Sequence, residues 1–369
     1  MIPAFFGLSG PVITREERAF FADVRPAGYI IFARNILDHA QLRALTADLR
    51  GLDGRSATPI LVDQEGGRVA RLRGPLWPDF PPAHLFGQRY AAAPISAIAA
   101  ARCNATAMAI AMRDVGVNMN CAPLVDLRQP MGHDVITSRT FADAPSTVAA
   151  LGRAVLNGLA DGGVVGVIKH MPGQGRAVTD SHVDAPIIDA CAADMVADLA
   201  PFAALADAPM GMTSHARFAL WDAARPATLS PTIIHTIIRQ QMGFAGLLMS
   251  DGLEMHALPG SPADRAAGAL AAGCDIALHC NAVLAEMRAI ADRIAPMDGA
   301  AVARLDRAMQ CAAAVPDQPA DAAAQVAQWL ARRDELLGDA AQGEHGAPPP
   351  PTCAAACAPA KAPIPGICG

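Results

Sequence analysis

Several ionisable side chains in this 369-residue sequence come directly after a short apolar run. Asp63 follows the run 60–62, Lys169 and His170 follow 164–168, His215 comes just after 211–213, and Asp251 ends GLLMS at 246–250. Runs of uncharged aliphatic residues have the character of strands buried on both faces, so these groups sit at strand ends. A carboxylate fixed at such a place suits a nucleophile or base, and a cation suits an electrostatic clamp. Asp251 reads equally, by position alone, as the N-cap of a following helix. A second arrangement is Asp180-Ser181-His182. Residues two apart in an extended segment point the same way, which brings the Asp180 carboxylate to the His182 ring. A carboxylate on one imidazole nitrogen fixes the tautomer and raises the basicity of the other, as proton transfer near neutral pH requires. Pro172, Gly173 and Gly175 lie between the two clusters, and such a loop neither continues a strand nor begins a helix.

Lys169-His170-Met171-Pro172-Gly173-Gln174-Gly175, followed by Asp180-Ser181-His182, resembles the KH-x-PG-H-G…DSH signature of β-N-acetylhexosaminidases of glycoside hydrolase family 3. DQEGGRVARL from Asp63, SRTF around Arg139, MTSHARF around His215, PATLS ending at Ser230 and SDGLEM around Asp251 resemble further segments of that family, in the same order. The resemblance implies that Asp251 attacks the anomeric carbon and forms a covalent glycosyl-enzyme. It implies that His182, partnered by Asp180, is the acid/base, in place of the usual second carboxylate of a glycosidase. It assigns Asp63, Arg71, Arg139, Lys169 and His170 to holding the sugar, and leaves Glu65 and Arg68 with structural duty. His215 suits a buried hydrogen bond at least as well as a pocket wall. Two positions depart from the pattern: Gln174 stands where a second His is usual, and Gly252 where the motif SDDLxM has its second Asp. The implied activity is a retaining exo-β-N-acetylglucosaminidase of cell-wall recycling. Its implied substrate is a small muropeptide or chitooligosaccharide, and no cofactor or metal is implied.

The elements that must position these groups alternate. Apolar runs at 4–8, 28–32, 60–62, 119–125, 164–168, 211–213, 246–249 and 275–278 are each followed by an Ala-rich, helix-periodic stretch. Repeated βα units predict a (β/α)₈ TIM-type barrel, whose active site lies at the C-terminal ends of the strands. A doubly wound open sheet is the competing fold, but GLSGP at 7–11 is a poor version of its Gly-rich phosphate turn. Helices at 282–294, 299–314 and 320–337 follow, the last two expected on the outside of the barrel. One domain is thus expected over 1–337, and the Ala/Pro/Gly-rich 338–369 reads as a disordered tail.

A hydrophobic content of 52% with 17% charged residues calls for a large core, and a net charge of -6 gives no reason to expect nucleic acid or a membrane surface. No apolar run is expected to span a bilayer. Nine cysteines without a Cys-x-x-Cys pair, with Cys103, Cys121, Cys191, Cys274, Cys280 and Cys311 in apolar surroundings, read as buried free thiols of a cytoplasmic monomer. Three alternatives stand beside the glycosidase: a phosphorylase in the same fold, a metal-dependent barrel hydrolase using His170, His215 and Asp251, and a non-catalytic sugar-binding barrel.

Overall fold

The computed structural model describes residues 1–55, 57–179, 186–313 and 321–338. The Asp180/His182 pair lies outside the described residues. So does the tail from residue 339, with Cys353, Cys357 and Cys368.

Eleven strands are described: β1 (Ile2–Gly7), β2 (Pro26–Ile31), β3 (Ile60–Val62), β4 (Met119–Asn120), β5 (Val165–Met171), β6 (Ile187–Ile188), β7 (Met210–Thr213), β8 (Arg217–Phe218), β9 (Asp222–Pro226), β10 (Leu247–Met249) and β11 (Ala277–His279). Eight of them form one parallel sheet in the order β10-β7-β5-β4-β3-β2-β1-β11. A parallel bridge between Met249 and Ile276 brings β10 to the segment leading into β11, so the sheet curls into a nearly closed (β/α)₈ barrel. The eight expected strands are all present. The fourth shortens because Pro123 has no N–H to give the ladder, although Val125 still bonds the Lys169 carbonyl at 2.9 Å. The fifth runs on through Lys169 and His170 to Met171, because nearby carboxylates satisfy its buried cation. β6, β8 and β9 form a small separate sheet.

Alternation along the strands divides the core in two. Phe5, Ile30, Leu61, Met119, Val165, Val167, Met210, Met212, Leu247, Met249 and Leu278 fill the barrel, and a larger outer layer packs the helices against the strands. The helix Gly299–Ala313 is not an outer helix as expected. Its Leu305, Ala308, Met309 and Ala312 join the inner cluster, a stripe at helical spacing that stoppers the barrel. Met297 donates to the Met1 carbonyl at 3.1 Å, which puts this plug at the end where β1 begins. The helix Ala322–Leu337 does pack outside, against Pro94–Asp114. Pro94–Asp114 is itself long and apolar enough to cross a membrane by length and composition, contrary to expectation. With 72% of that apolar window buried inside the protein, it serves here as a core helix. Among the expected buried thiols Cys191 is exposed and Cys280 half-buried.

Candidate active site

Inward-facing residues at the C-terminal strand ends line an open recess of about 730 Å³. Ile30, Cys121, Met212 and Leu278 give it an apolar floor, and Asp63, Arg71, Arg139, Lys169, His170 and Asp251 line its walls. Every expected site residue among the described ones therefore meets here. Strand parity explains the convergence: Asp63 continues the inward series of Leu61, Lys169 that of Val165 and Val167, and Asp251 that of Met249.

Asp63 leaves β3 into a loop that turns back on itself. Buried Gln64 holds it: its side-chain oxygen accepts the Arg71 and Leu72 N–H groups at 2.8 and 3.0 Å, and Asn120 bonds both its backbone N–H and its carbonyl. The loop thus carries Arg71 to within 3.2 Å of the Asp63 carboxylate. Lys169, 2% exposed, lies between two acids, with Nζ 2.6 Å from Glu65 Oε1 and 3.3 Å from Asp63 Oδ1. Arg139 clamps Glu65 in a two-pronged pair at 2.6 and 2.8 Å. Burial alone would raise both carboxyls. The Lys169 and Arg71 charges override it and hold Asp63 well below the usual carboxylate range, while Arg139 and Lys169 bring Glu65 down to about 2. Burial would likewise lower Lys169, but Glu65 and Asp63 hold it above its ordinary value. Glu65, read from sequence as structural, is the counter-ion that fixes two of the expected sugar-binding cations. The Arg68 side chain reaches Ser138, at 3.4 Å.

Asp126 is the residue the sequence reading lacks. Fully buried, it accepts from His170 Nδ1 at 2.8 Å and from the Gln174 N–H at 2.7 Å. With Nδ1–H given to a carboxylate, the ring presents Nε2 as its remaining nitrogen. Gln174 accepts from the Ser214 hydroxyl at 2.6 Å, a neutral bond that a charged imidazole could not accept. Next to it Gly173 has φ +123°, where a side chain would be strained. The signal for Asp126 was present, since it follows the apolar run 119–125 as Asp63 follows 60–62. Replacing Asp126 with Ala frees the His170 ring and orphans the Gln174 N–H. The expected result is a loss of about 2 kcal/mol in denaturant unfolding and about tenfold in kcat/KM, measured on the same preparation.

Asp251 leaves β10 and accepts the Gly252 N–H at 2.8 Å. The loop behind it is fixed by His215, which is fully buried and does not line the recess. Its Nε2–H donates to the Gly252 carbonyl at 2.9 Å, and its Nδ1 lies 2.7 Å from the Thr228 hydroxyl, which also reaches the Ser214 carbonyl at 2.9 Å. Burial pushes this imidazole below its ordinary value, against the pull of Asp251. Both ring nitrogens are thereby engaged. Among the described residues no group of His, Cys, Asp or Glu is gathered to hold a metal.

Carboxylates and cations facing one another over an apolar floor form an arrangement able to hold a neutral polyhydroxylated ring. A model of the glycosyl hydrolase family 3 N terminal domain matches residues 7–312. A beta-hexosaminidase of Xanthomonas oryzae pv. oryzae is 38% identical over 282 residues, covering 74% of this chain and 82% of that protein. One from Stenotrophomonas maltophilia is 36% identical over 286 residues, 76% of this chain and 84% of its own. Among solved structures, NagZ from Neisseria gonorrhoeae in complex with N-trifluoroacetyl-D-glucosamine superposes with a TM-score of 0.79 at 29% identity, over 90% of this chain and 98% of that one.

Proposed function

We propose, since this chain belongs to glycosyl hydrolase family 3 and is a glycoside hydrolase of the β-N-acetylhexosaminidase kind, that it is a retaining exo-β-N-acetylglucosaminidase acting on peptidoglycan fragments. The terminal N-acetylglucosamine is released from its anhydromuramyl neighbour. The observation that carries this reading is Asp251 at the end of β10, in the same recess as the Asp63, Arg71, Arg139 and Lys169 cluster. That cluster offers donors and acceptors for sugar hydroxyls and an acetamide carbonyl, already held in place by one another, which suits orientation before attack.

The route has two displacements. An Asp251 oxygen forms a bond to the anomeric carbon as the bond to the leaving oxygen breaks, and that oxygen takes a proton from His182. Water then attacks the same carbon, gives its proton to His182, and Asp251 departs as carboxylate. Asp180 holds the His182 ring in the required tautomer.

A slow-turnover 5-fluoro analogue of N-acetylglucosamine tests the assignment. Peptide mass spectrometry is expected to find the covalent sugar on Asp251; a label on another residue, or none with turnover intact, overturns it. Product analysis with and without inorganic phosphate is expected to give free sugar in both cases. Sugar 1-phosphate as the product would establish the phosphorylase instead.

A further inference from the structure

The departure at Gly252 has a partner. In SDGLEM the motif's second carboxylate is missing at 252, and an acid, Glu254, stands two residues on. Its side chain folds back over Gly252: a Cβ built there would lie 2.6 Å from Glu254 Oε1 and 3.1 Å from its Cδ. A side chain at 252 and the Glu254 carboxylate therefore compete for one volume. Glu254 is anchored in it by the Cys280 N–H, which donates to Oε2 at 3.1 Å, and it lines the recess beside Asp251. The loop around it is tied on both sides. Arg265 donates to the Leu253 and Met255 carbonyls at 2.7 and 3.2 Å, and the Leu253 N–H donates to the Leu278 carbonyl at 2.9 Å.

We propose that Glu254 supplies, from further along the chain, the second carboxylate that the SDDLxM pattern carries at 252, and so places negative charge at the anomeric end of the recess. The inference rests on the reading of Asp251 as nucleophile. The transition state of glycoside cleavage resembles an oxocarbenium ion, and charge already in place where the cation develops lowers the barrier without reorganisation. The groups whose charge acts on Glu254 are Asp251 on its own loop, Cys280 after β11, Arg34 after β2 and Arg265 of helix Pro262–Ala272. Asp63 bears on the Cys280 thiol as well. Burial raises the Glu254 carboxyl above its ordinary value against the Cys280 N–H, so the group loses its charge at a less acidic pH than a free Glu.

The test compares the wild type with Glu254→Gln, Gly252→Asp, and Gly252→Asp combined with Glu254→Ala, using p-nitrophenyl N-acetyl-β-glucosaminide across the acidic to neutral range. Glu254→Gln keeps the shape and removes the charge. It is expected to lower kcat about tenfold with KM within about twofold, and to abolish the Glu254 limb of the pH profile. In Gly252→Asp the Glu254 carboxylate must swing aside, and the double variant, with its carboxylate back at 252, should stay within about threefold of the wild-type kcat. Wild-type kcat and pH profile in Glu254→Gln, or a double variant as slow as Glu254→Gln, overturns the proposal. The 5-fluoro label separates the two readings. A wild type not labelled on Asp251 fails both, whereas a labelled wild type with an indifferent Glu254→Gln fails only this one.

Discussion

Asp251→Ala is expected to lower kcat/KM on an aryl N-acetylglucosaminide by at least ~10⁴-fold, about 5.5 kcal/mol of barrier, with the fold intact by circular dichroism. The size follows from its place. The apolar strand Leu247–Met249 delivers the carboxylate into the recess, and the Gly252 N–H and the His215 bond to the Gly252 carbonyl hold the loop that carries it. No other group there is proposed to form the bond, so its loss removes a covalent step and not merely a contact. Truncation also leaves a gap on the face of the sugar from which the proposed attack by Asp251 comes. Added azide is expected to enter that gap, displace the aryl leaving group in a single inversion and yield the α-glycosyl azide. Retention of activity within about tenfold of the wild type, or a β-azide product, would show the nucleophile to be elsewhere.

Lys169→Met should be the other severe substitution, and it should act on stability as well as turnover. Methionine keeps most of the volume and removes the charge that Asp63 and Glu65 share. Breaking one partner out of a buried ionic cluster costs on the order of 3–5 kcal/mol, to be read from denaturant unfolding. The loss of a preset sugar clamp is expected to reduce kcat/KM at least ~10²-fold. The pH dependence has a definite sign. Glu65 titrates at about 2 in the fold against an ordinary 4.5, so its contribution is present above about pH 4.5 and is lost as pH falls toward 2. Asp63, also lowered, adds in the same direction. Lys169, raised above 10.5, contributes fully below that value and loses its share only as the solution becomes more alkaline than its folded pKa. Without Lys169 the two acids regain part of their ordinary basicity, so acid unfolding should begin at higher pH in the variant. An unchanged acid midpoint would mean that Arg71 and Arg139 hold the acids unaided.

The barrel was legible because parallel strands covered on both faces leave uninterrupted apolar runs, and the site because charge at the end of such a run has few other uses. Asp63, Lys169, His170 and Asp251 were found on that ground. Arg71 lies eight residues along a loop, and only its family resemblance singled it out before Gln64 was seen to fold the loop back. Asp126 satisfied the same strand-end criterion and was passed over in favour of Arg139, in the SRTF segment that follows the same run. The plug helix Gly299–Ala313 shows a different limit. An apolar stripe announces that something will cover it, but not whether that is the outside of a barrel or its end. The two-residue strands Ile187–Ile188 and Arg217–Phe218 are too short to carry any periodicity. Glu254 was invisible for another reason: the motif leaves its position open, and only the folding of its side chain back over Gly252 singles it out.

The stopper formed by Leu305, Ala308, Met309 and Ala312 makes the barrel a blind alley. Whatever sugar reaches Asp251 must therefore enter and leave by the same door, and in the proposed route the severed remainder has to clear that doorway before water can follow it in.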